Sequence, residues 1–362
     1  MTHAAIIGWG KCLPPAVLSN ADLATFLDTS DQWILSRTGI RERRVSHVPL
    51  GEIGYVAAAR ALACAGYDGK EIELIVFGTT SYDDQVPNVA SGIQRRIGAD
   101  GCAAMDVNTA CTSFLYSLST ATAMIRTGVV RNALVIGAEI ISPFMDWSDR
   151  NVAVLFGDGA AAVVLEATDR EEGLLAERLG CFGNSREILR VHGMGAGYAH
   201  QNRILGQTEW QFEGQEIFKK AVLGMSMACD EAMKKVGKTA ADIDLVIPHQ
   251  ANLRIIEAVA KKAGVPMERV FTNVDRYGNM SAATVPVALC EALEEGRVKP
   301  GALLLMPSFG GGLTFTGHVV RWGARVKPLG MTNVDLPPNN LTALDLVNKY
   351  RGIKSLRVTP AA

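Results

Sequence analysis

The sequence predicts an α/β protein built from two related halves. The chain has 362 residues, of which 48% are hydrophobic and 20% charged. At roughly 150 residues per domain, this length corresponds to about two domains with ample apolar residues for a large core. Short apolar runs alternate with longer amphipathic stretches, and several of these elements recur in the same order later in the chain.

Five apolar runs are predicted to be buried strands. Each is short, rich in branched residues and bounded by glycine, proline or charged residues, which is the pattern of strands covered on both faces. The predicted strands are Leu74–Gly78, Ala133–Gly137, Ala161–Leu165, Leu245–Ile247 and Ala302–Met306.

Three amphipathic stretches between the strands are predicted to be helices. Their apolar residues recur every three or four positions, and each pattern ends near a glycine, the residue that most readily terminates a helix. The stretches are Phe114–Ile125 before Gly128, Phe218–Ala232 before Gly237, and Leu253–Ala263 before Gly264. The alternation of strands with helices favours an α/β arrangement.

A repeat relates the two parts of the chain. Glu71–Val76 and Asp242–Ile247 share an acid, an isoleucine, a second acid, a leucine and two β-branched residues. Farther along, Asn108–Ser113 and Gly278–Ala282 each precede another helical stretch and then a strand. Elements that recur in order at such a long spacing indicate duplication of one α/β unit rather than a solenoid. Coincidence between two generic strand–helix units is the alternative.

The repeat predicts one half at residues 1–172, a second at 173–323, and an extension at 324–362. The extension begins as a proline-containing connector and ends in a short helical pattern. Its apolar positions are Leu341, Leu344, Val347 and Tyr350. One interpretation is a small helix laid on the surface or on a partner; a disordered tail is the other.

Composition restricts the class of protein. The formal net charge is −1, which disfavours nucleic acid as a general partner. No apolar run approaches the ~18 residues that a membrane span needs, and the first residues lack the pattern of a signal peptide. Seven scattered cysteines without a Cys-x-x-Cys pair suit free thiols in a reducing compartment. The histidines show no metal-ligand spacing. We therefore expect a cytoplasmic enzyme without a metal, with no membrane and no nucleic-acid partner.

Cys111 is the candidate nucleophile. It follows the strand-like segment Ala104–Val107 and opens a helical stretch. A thiol at a helix N-terminus meets free backbone N–H groups and the positive end of the helix dipole, so we expect its thiolate to be favoured. A cysteine in an apolar stretch is otherwise an inert core thiol, and the other six cysteines are interpreted in that way.

Two further polar residues lie at loop-to-helix junctions. His249 follows the predicted strand Leu245–Ile247, at the strand end where α/β sheets place their ligands. A histidine that satisfies only local backbone groups is the alternative. Asn279 lies in Tyr277–Ser281, where an isolated Gly-Asn would ordinarily be a turn.

A glycine-rich segment, Ser308–Phe315, follows the last strand of the repeat. Its three consecutive glycines allow a ligand to approach the backbone closely, as in an oxyanion hole made of N–H groups. A phosphate cradle is the rival interpretation, but the Lys-Ser/Thr of a P-loop is missing. Gly8-Trp9-Gly10 lacks the third glycine and the helix of a dinucleotide fingerprint.

Six motifs occur in order: Thr38–Arg43, Asp106–Cys111, Phe156–Ala160, Pro248–Asn252, Tyr277–Ser281 and Ser308–Gly312. Together they closely resemble the β-ketoacyl-acyl-carrier-protein synthase III family, condensing enzymes of the thiolase superfamily. The resemblance runs from about residue 3 to residue 323 and leaves out the extension. It implies a thiolase-like fold of two duplicated α/β halves in five layers (α-β-α-β-α), normally a homodimer.

The resemblance also implies an acyltransferase mechanism. Cys111 would take an acyl group from acyl-coenzyme A (acyl-CoA). His249 and Asn279 would donate hydrogen bonds to the thioester oxygen of malonyl-acyl carrier protein while it loses carbon dioxide. The resulting enolate would attack the acyl-Cys111 thioester, with the N–H groups of Cys111 and Gly312 as the oxyanion hole. The role would be the initiation of fatty acid biosynthesis, with no cofactor beyond the CoA thioester substrate.

Other family positions carry over to residues of this chain. Trp33 and Arg150 match residues that sandwich the CoA adenine, and Arg37 matches a phosphate contact. Three residues match the pantetheine tunnel: Asn252, Gly214 and Phe218. Five match a basic rim for the acidic carrier protein: Lys219, Lys220, Arg254, Lys261 and Lys262. A solvated helix face is the alternative for the lysines.

The departures from the family pattern concern the acyl pocket. Thr112 follows the nucleophile where acetyl-using members commonly have alanine. Val86 stands where a bulky phenylalanine often closes the pocket across the dimer, which suggests a medium or longer primer. Met280 and Thr316 replace a usual threonine and a usual glycine. The acyl chain length and the acceptor, malonyl-carrier protein or malonyl-CoA, stay open.

Related enzyme classes fit less well. Thiolases need a second cysteine in Cys-Gly-x-Gly, which is absent, and hydroxymethylglutaryl-CoA synthases need a glutamate near the nucleophile, whereas residues 104–114 contain none. Plant-type polyketide synthases carry Gly-Phe-Gly-Pro-Gly where this chain has Ser-Phe-Gly-Gly-Gly. A non-catalytic chain-length factor would lack Cys111. A secondary-metabolite enzyme of the same fold, using acyl-CoA and another acceptor, stays open.

Overall fold

The computed structural model describes residues 2–193, 195 and 208–358, and confirms the predicted α/β fold. The strands are β1 His3–Cys12, β2 Ala16–Ser19, β3 Glu42–Val45, β4 Leu74–Gly78, β5 Ala103–Val107, β6 Asn132–Glu139, β7 Gly159–Thr168, β8 Gly173–Cys181, β9 Leu189–His192, β10 Glu209–Phe212, β11 Leu245–Val246, β12 Leu303–Gly310 and β13 Thr314–Arg321. The helices are α1 Asn20–Ala24, α2 Asp31–Thr38, α3 Leu50–Ala65, α4 Val89–Ile97, α5 Ser113–Arg126, α6 Arg150–Ala153, α7 Gly214–Lys235, α8 Leu253–Ala263, α9 Val274–Tyr277, α10 Thr284–Glu294 and α11 Ala343–Val358.

The large sheet consists of two sections joined edge to edge. Its order is β11-β12-β13-β8-β1-β7-β6-β4-β5, so the strands of the two halves stay on separate sides. The join is a parallel pairing of Ala4 on β1 with Gly173 on β8. Gly173 has φ +83°, and a Cβ there would lie 1.7 Å from the Ala4 carbonyl oxygen. Only glycine allows the two backbones to approach this closely. The boundary at 172/173 stays a prediction.

Helices cover both faces of each section in the order α-β-α-β-α. Helix α3 packs on β1, β6 and β7, while α7 packs on β8, β12 and β13. Helices α5 and α10 lie in the middle layer. Their buried residues, such as Phe114 and Leu289, form one apolar core with Val76 of β4 and Leu304 of β12. The site is positioned by this middle layer, because both helices begin at the same end of it.

The duplication is visible in the backbone. Two short 3-10 helices, Gly69–Glu71 and Ala240–Asp242, precede β4 and β11, and each has a capping box at its N-terminus. A second pair, Ala110–Thr112 and Ser281–Ala283, precedes α5 and α10. The first residue of each, Ala110 and Ser281, has positive φ (54° and 48°) although neither is glycine. Such strained positions are typical of functional sites.

The predicted elements agree closely with the structure where the apolar pattern is strong. Helix α8 has the predicted bounds and ends at Gly264, which has φ +71°. The predicted strand Leu245–Ile247 is shorter by one residue. Strands β1 and β8 are not predicted by the sequence pattern, because polar and glycine residues interrupt their apolar runs.

The C-terminal extension packs on its own chain. Asp335 forms an ion pair with Arg60 of α3 at 3.0 Å, and the Pro337 carbonyl lies 2.8 Å from His47 Nε2. Helix α11 then packs on β2 and β3, with Leu346 and Val347 buried. The predicted surface helix is therefore confirmed, and the disordered tail is wrong for residues 324–358. Among the described residues no helix is both long and apolar enough to cross a membrane.

Candidate active site

Cys111 lies in the 3-10 turn between β5 and α5, as predicted. Strand β12 passes directly behind it: the Ser308 hydroxyl donates to the Cys111 carbonyl at 3.0 Å. A Cβ on Gly310 would lie 2.6 Å from the Cys111 nitrogen. Glycine at 310 therefore lets the second half of the molecule close against the turn that carries the nucleophile.

Burial works against the thiolate that the sequence predicts at Cys111. The residue keeps some exposed surface, but burial raises the pKa of its thiol to about 12. A hydrogen bond with the Ser281 hydroxyl lowers the pKa of the thiol, whereas the charge of the Glu139 carboxylate raises it further. Desolvation thus opposes the stabilisation expected from the N-terminus of α5.

Two cavities meet at Cys111. The larger has a volume of about 910 Å³ and runs from Trp33 and Arg37 to the thiol, past His249 and Asn279. The smaller, about 310 Å³, continues beyond the thiol. Its lining residues include Ile141, Phe144, Phe156, Leu189 and Trp210, with Ser281 near the thiol. A thiol at such a junction can hold an acyl group in one cavity while a second substrate enters the other.

His249 lies just beyond β11, where its N–H bonds to the Pro307 carbonyl at 2.8 Å. The residue is 4% exposed. Its Nδ1 lies 2.6 Å from the Thr284 hydroxyl, at the start of α10. Burial lowers the pKa of His249 to about 3. The imidazole is therefore neutral at physiological pH and offers one N–H, not two.

Asn279 is oriented by its neighbours. Its N–H donates to the Leu155 carbonyl at 2.8 Å, and its Oδ1 accepts the Ser281 N–H at 2.8 Å. Because the amide oxygen is engaged in this way, the NH₂ group is the part left for a ligand. Asn279 and His249 both line the larger cavity beside Cys111. The structure thus brings together the three residues that the sequence singled out.

Glu139 and Ser281 are polar residues of the site that the sequence analysis did not single out. Glu139 ends β6, is fully buried and accepts a hydrogen bond from the Ser281 hydroxyl at 3.0 Å. Desolvation raises the pKa of Glu139 to about 7. No spacing rule connects these residues with Cys111, since they come from distant parts of the chain. The apolar pattern of β6 ends at Glu139, and a polar residue at the end of a strand was the signal in the sequence that could have pointed to this residue.

The mouth of the larger cavity holds the predicted CoA-binding residues. The guanidinium groups of Arg37 and Arg150 lie 4.4 and 4.9 Å from the Trp33 ring centroid. Arg37, Trp33 and the three predicted pantetheine residues line the cavity, whereas Arg150 reaches it through Trp33. The pantetheine residues are Gly214, Phe218 and Asn252.

Only some residues of the predicted basic rim lie at the mouth of the larger cavity. Lys219 and Arg254 line the larger cavity, and Lys219 also pairs with Glu216 at 2.7 Å. Lys220 packs near the Phe182 ring, 5.2 Å from its centroid. Lys261 and Lys262 lie in the last turn of α8 and are exposed. The role of these residues toward a carrier protein stays a prediction.

Three further predicted residues, those of the acyl pocket and the second oxyanion position, also line neither cavity of this chain. Val86 is 83% exposed, and Thr112 is buried with its hydroxyl 2.9 Å from that of Thr314. Gly312 has φ +134°, beside the Gly311 that does line the smaller cavity. Their roles as acyl-pocket and oxyanion residues stay predictions. Among the described residues, no three histidine, cysteine or acidic side chains come together as potential metal ligands.

A cysteine at the junction of two cavities, on a duplicated α-β-α-β-α scaffold, defines an enzyme of the thiol-dependent condensing class. Residues 105–183 match the family described as 3-oxoacyl-[acyl-carrier-protein] synthase III, and residues 233–322 match its C-terminal part.

Known proteins agree with this class. Over 347 residues the chain is 50% identical to β-ketoacyl-[acyl-carrier-protein] synthase III 2 of Vibrio cholerae, which covers 96% of both chains. The crystal structure of 3-oxoacyl-[acyl-carrier-protein] synthase III from Aquifex aeolicus is similar, with a TM-score of 0.83 and 42% identity over 88% of this chain and 100% of that one. The priming β-ketosynthase of the R1128 polyketide pathway has a TM-score of 0.84 and 31% identity, over 89% and 97% of the two chains. The chain belongs to the β-ketoacyl-acyl-carrier-protein synthase III family.

Proposed function

We propose that this protein condenses an acyl-CoA primer longer than acetyl with malonyl-acyl carrier protein, as the first step of fatty acid synthesis. One observation carries the proposal: Cys111 lies where a tunnel lined by His249 and Asn279 meets a second, largely apolar cavity. Loss of carbon dioxide drives the carbon–carbon bond formation, and no metal or redox cofactor enters the reaction.

In the first half-reaction, Cys111 attacks the thioester carbon of acyl-CoA. The adenine of CoA would lie between Trp33 and Arg150, with Arg37 on a phosphate; in the free protein both guanidinium groups lie against the Trp33 ring. The pantetheine arm follows the larger cavity to the thiol. Backbone N–H groups at Cys111 and Gly312 hold the tetrahedral oxyanion, and coenzyme A leaves.

In the second half-reaction, two neutral donors stabilise an enolate. For His249 to act as a donor its proton must lie on Nε2, with Nδ1 accepting from the Thr284 hydroxyl at 2.6 Å; that hydroxyl then gives up its bond to the Ser281 carbonyl at 3.0 Å. The imidazole then carries its own proton on Nε2, available to the malonyl thioester oxygen. Asn279 supplies its NH₂ group. These donors act where negative charge develops, and both side chains belong to buried residues.

The size of the smaller cavity supports a primer of medium length. Its volume is about 310 Å³. An engineered protein cavity of ~150 Å³ is sufficient to hold benzene, a ligand of six carbons. A cavity about twice that size suits a chain of roughly six to ten carbons.

The carrier protein and a second subunit complete the proposal. Lys219 and Arg254 at the tunnel mouth suit an acidic carrier protein. Strand β5 forms one edge of the large sheet, and the Asn88 side chain ties the loop containing Val86 to it, through Ala104 O at 3.1 Å. Edge strands invite pairing, so a homodimer formed along β5 would cover the exposed Val86.

The polyketide-priming role is the second candidate, because the R1128 enzyme shares both the fold and 31% sequence identity. In such a role the same primer transfer would feed a different carrier protein. The two candidates differ in the acceptor and share the chemistry at Cys111.

The experiment is an intact-mass assay in two stages. Wild type incubated with acyl-CoAs of two to twelve carbons should gain one acyl group, and Cys111→Ala should gain none. Addition of malonyl-acyl carrier protein or malonyl-CoA should then release carbon dioxide and free the cysteine. Acylation that survives Cys111→Ala would refute the mechanism, and acylation without decarboxylation would indicate an acyltransferase with another acceptor.

A further inference from the structure

The C-terminal extension packs on the segment that forms one wall of the smaller cavity. Residues 141–147, termed the cavity loop, follow β6 and include the short 3-10 helix Ser142–Phe144. Ile141 and Phe144 of this loop line the smaller cavity. Helix α11 packs against Ser142–Phe144 as well as on β2 and β3. The cavity loop therefore contacts both the acyl cavity and the extension.

Apolar packing joins the cavity loop to α11. Met145 and Trp147 of the loop are buried in one apolar cluster with Leu346 and Val347 of α11, and Ile141 belongs to the same cluster. Leu346 is 4% exposed, and Val347 is fully buried. Protein interiors are packed as densely as organic crystals, so close-packed side chains behind a loop limit how far that loop can move.

A buried carboxylate fixes the start of the cavity loop to the segment beneath α11. Asp158 is fully buried and accepts hydrogen bonds from the Ile141 N–H at 2.8 Å and the Ser142 hydroxyl at 2.6 Å. It also accepts the Ser46 N–H, just after β3, at 2.8 Å. The Ser46 carbonyl in turn accepts a hydrogen bond from the Tyr350 hydroxyl of α11 at 3.2 Å. These bonds connect the loop, the end of β3 and α11.

Aromatic side chains connect the end of the cavity loop to α11. The Trp147 ring N–H donates to the Ser142 carbonyl at 3.0 Å, which folds the loop back on itself. Phe26 meets the Trp147 ring edge-on, with the ring centroids 6.3 Å apart. The guanidinium group of Arg351, on α11, lies 4.3 Å from the Phe26 centroid. A second route of contacts therefore runs from α11 to the loop.

We propose that α11 sets the upper limit on primer length by keeping the cavity loop from moving away from the acyl chain. This inference rests on the proposed acylation of Cys111, with the acyl group in the smaller cavity. A chain that outgrows this cavity must push against Ile141 or Phe144, and overpacking of a fixed wall is unfavourable. Leu346 and Val347 are positioning residues, because they pack behind the loop and lie outside the cavity.

The test is the kcat/KM for acylation with acyl-CoAs of four to fourteen carbons, followed by intact mass. Leu346→Ala removes three carbon atoms behind the cavity loop, which lets the wall retreat. Room for one or two further methylenes should raise kcat/KM about fourfold for each. The ratio of kcat/KM for dodecanoyl-CoA to that for hexanoyl-CoA should therefore rise by about 4- to 16-fold, with the hexanoyl-CoA value little changed.

Leu293→Ala is the matched control. Leu293 is 5% exposed in the last turn of α10, belongs to a different apolar cluster and lines neither cavity at Cys111. The same leucine-to-alanine change should lower stability to a similar degree and leave the ratio within about twofold of wild type. Val347→Ala is a second variant in α11. It removes two carbon atoms behind the loop and should raise the ratio by about fourfold.

The outcomes separate this inference from the proposed function. An unchanged ratio in both α11 variants, with the wild type acylated normally, overturns the inference alone. An equal rise in Leu293→Ala also overturns it, because general loosening of the fold would then govern the ratio. If Leu346→Ala does not fold, Val347→Ala decides. Absence of wild-type acylation by all of these thioesters would refute the proposed function together with this inference.

Discussion

Replacing Thr284 with valine should separate the two half-reactions. Thr284 is fully buried at the start of α10, with its hydroxyl 2.6 Å from His249 Nδ1. Valine has nearly the same shape but no hydroxyl, so the variant removes the two hydroxyl contacts, to His249 Nδ1 and to the Ser281 carbonyl, and little else. Without that donor, the imidazole proton is no longer held on Nε2, where the malonyl thioester oxygen would need it.

The size of the effect follows from two terms. A buried nitrogen left without a partner costs about 1–3 kcal/mol, which favours a move of the proton to Nδ1 or a turn of the ring. Loss of one donor from a charge-stabilising site costs a further factor of about 10²–10³ in rate. We therefore expect decarboxylation to slow by about 100-fold or more, while acylation of Cys111 changes by less than about threefold because it needs no donor at His249.

The assay measures both steps on the same preparation. Acylation is followed by intact mass with acyl-CoA, and carbon dioxide release is followed after malonyl-acyl carrier protein is added. Thr284→Ser is the matched control: it keeps the hydroxyl, loses one methyl group, and should decarboxylate within a few-fold of wild type. Normal decarboxylation by Thr284→Val would refute the assigned tautomer, as would equal damage in the serine variant.

Three other measurements test the substrate sites and the extension. The kcat/KM for acylation should rise about fourfold for each methylene beyond acetyl until the smaller cavity is full, because each buried methylene contributes about 0.8 kcal/mol. A preference for acetyl-CoA would contradict the proposed primer. Trp33→Ala should raise the KM for acyl-CoA by about tenfold and leave reaction with acyl-pantetheine, which lacks the adenine, unchanged; equal losses with both thioesters would argue against stacking on Trp33. Leu346→Ala in α11 should lower the free energy of unfolding, measured by chemical denaturation, by about 2–3 kcal/mol. Leu341→Ala, at a position 49% exposed, should change it by less than about 0.5 kcal/mol. Equal effects of the two substitutions would mean that α11 does not pack on the chain as described.

The sequence was sufficient for the fold wherever a single periodicity dominates. Helix α8 was predicted to the residue, because its apolar stripe ends where Gly264 adopts the left-handed conformation. Strand β8 was missed, because the polar residues in Gly173–Cys181 follow no clear alternation. Its pairing with β13 across the sheet decides that conformation, and such a partner cannot be identified from local pattern alone.

The site was predictable in its residue types but not in its electrostatics. Cys111, His249 and Asn279 stand at strand or helix ends, which are the positions where α/β proteins place the groups that meet a ligand. The pKa of Cys111 could not be inferred in the same way, because the desolvation that raises it depends on how the two halves close around the thiol. Glu139 was missed for a related reason: it became part of the site only through Ser281, from the opposite half of the duplicated chain.

The meeting of the two cavities at Cys111 has a kinetic consequence. Under the proposed mechanism both thioesters reach the sulfur along the passage that begins at Trp33, because the acyl chain occupies the other cavity once it has been transferred. Coenzyme A therefore has to depart before the carrier arm can enter, which imposes a double-displacement order. Double-reciprocal plots at several fixed concentrations of acyl-CoA should be parallel, and coenzyme A should inhibit competitively against malonyl-acyl carrier protein. A high concentration of free coenzyme A in the cell would thus inhibit chain initiation.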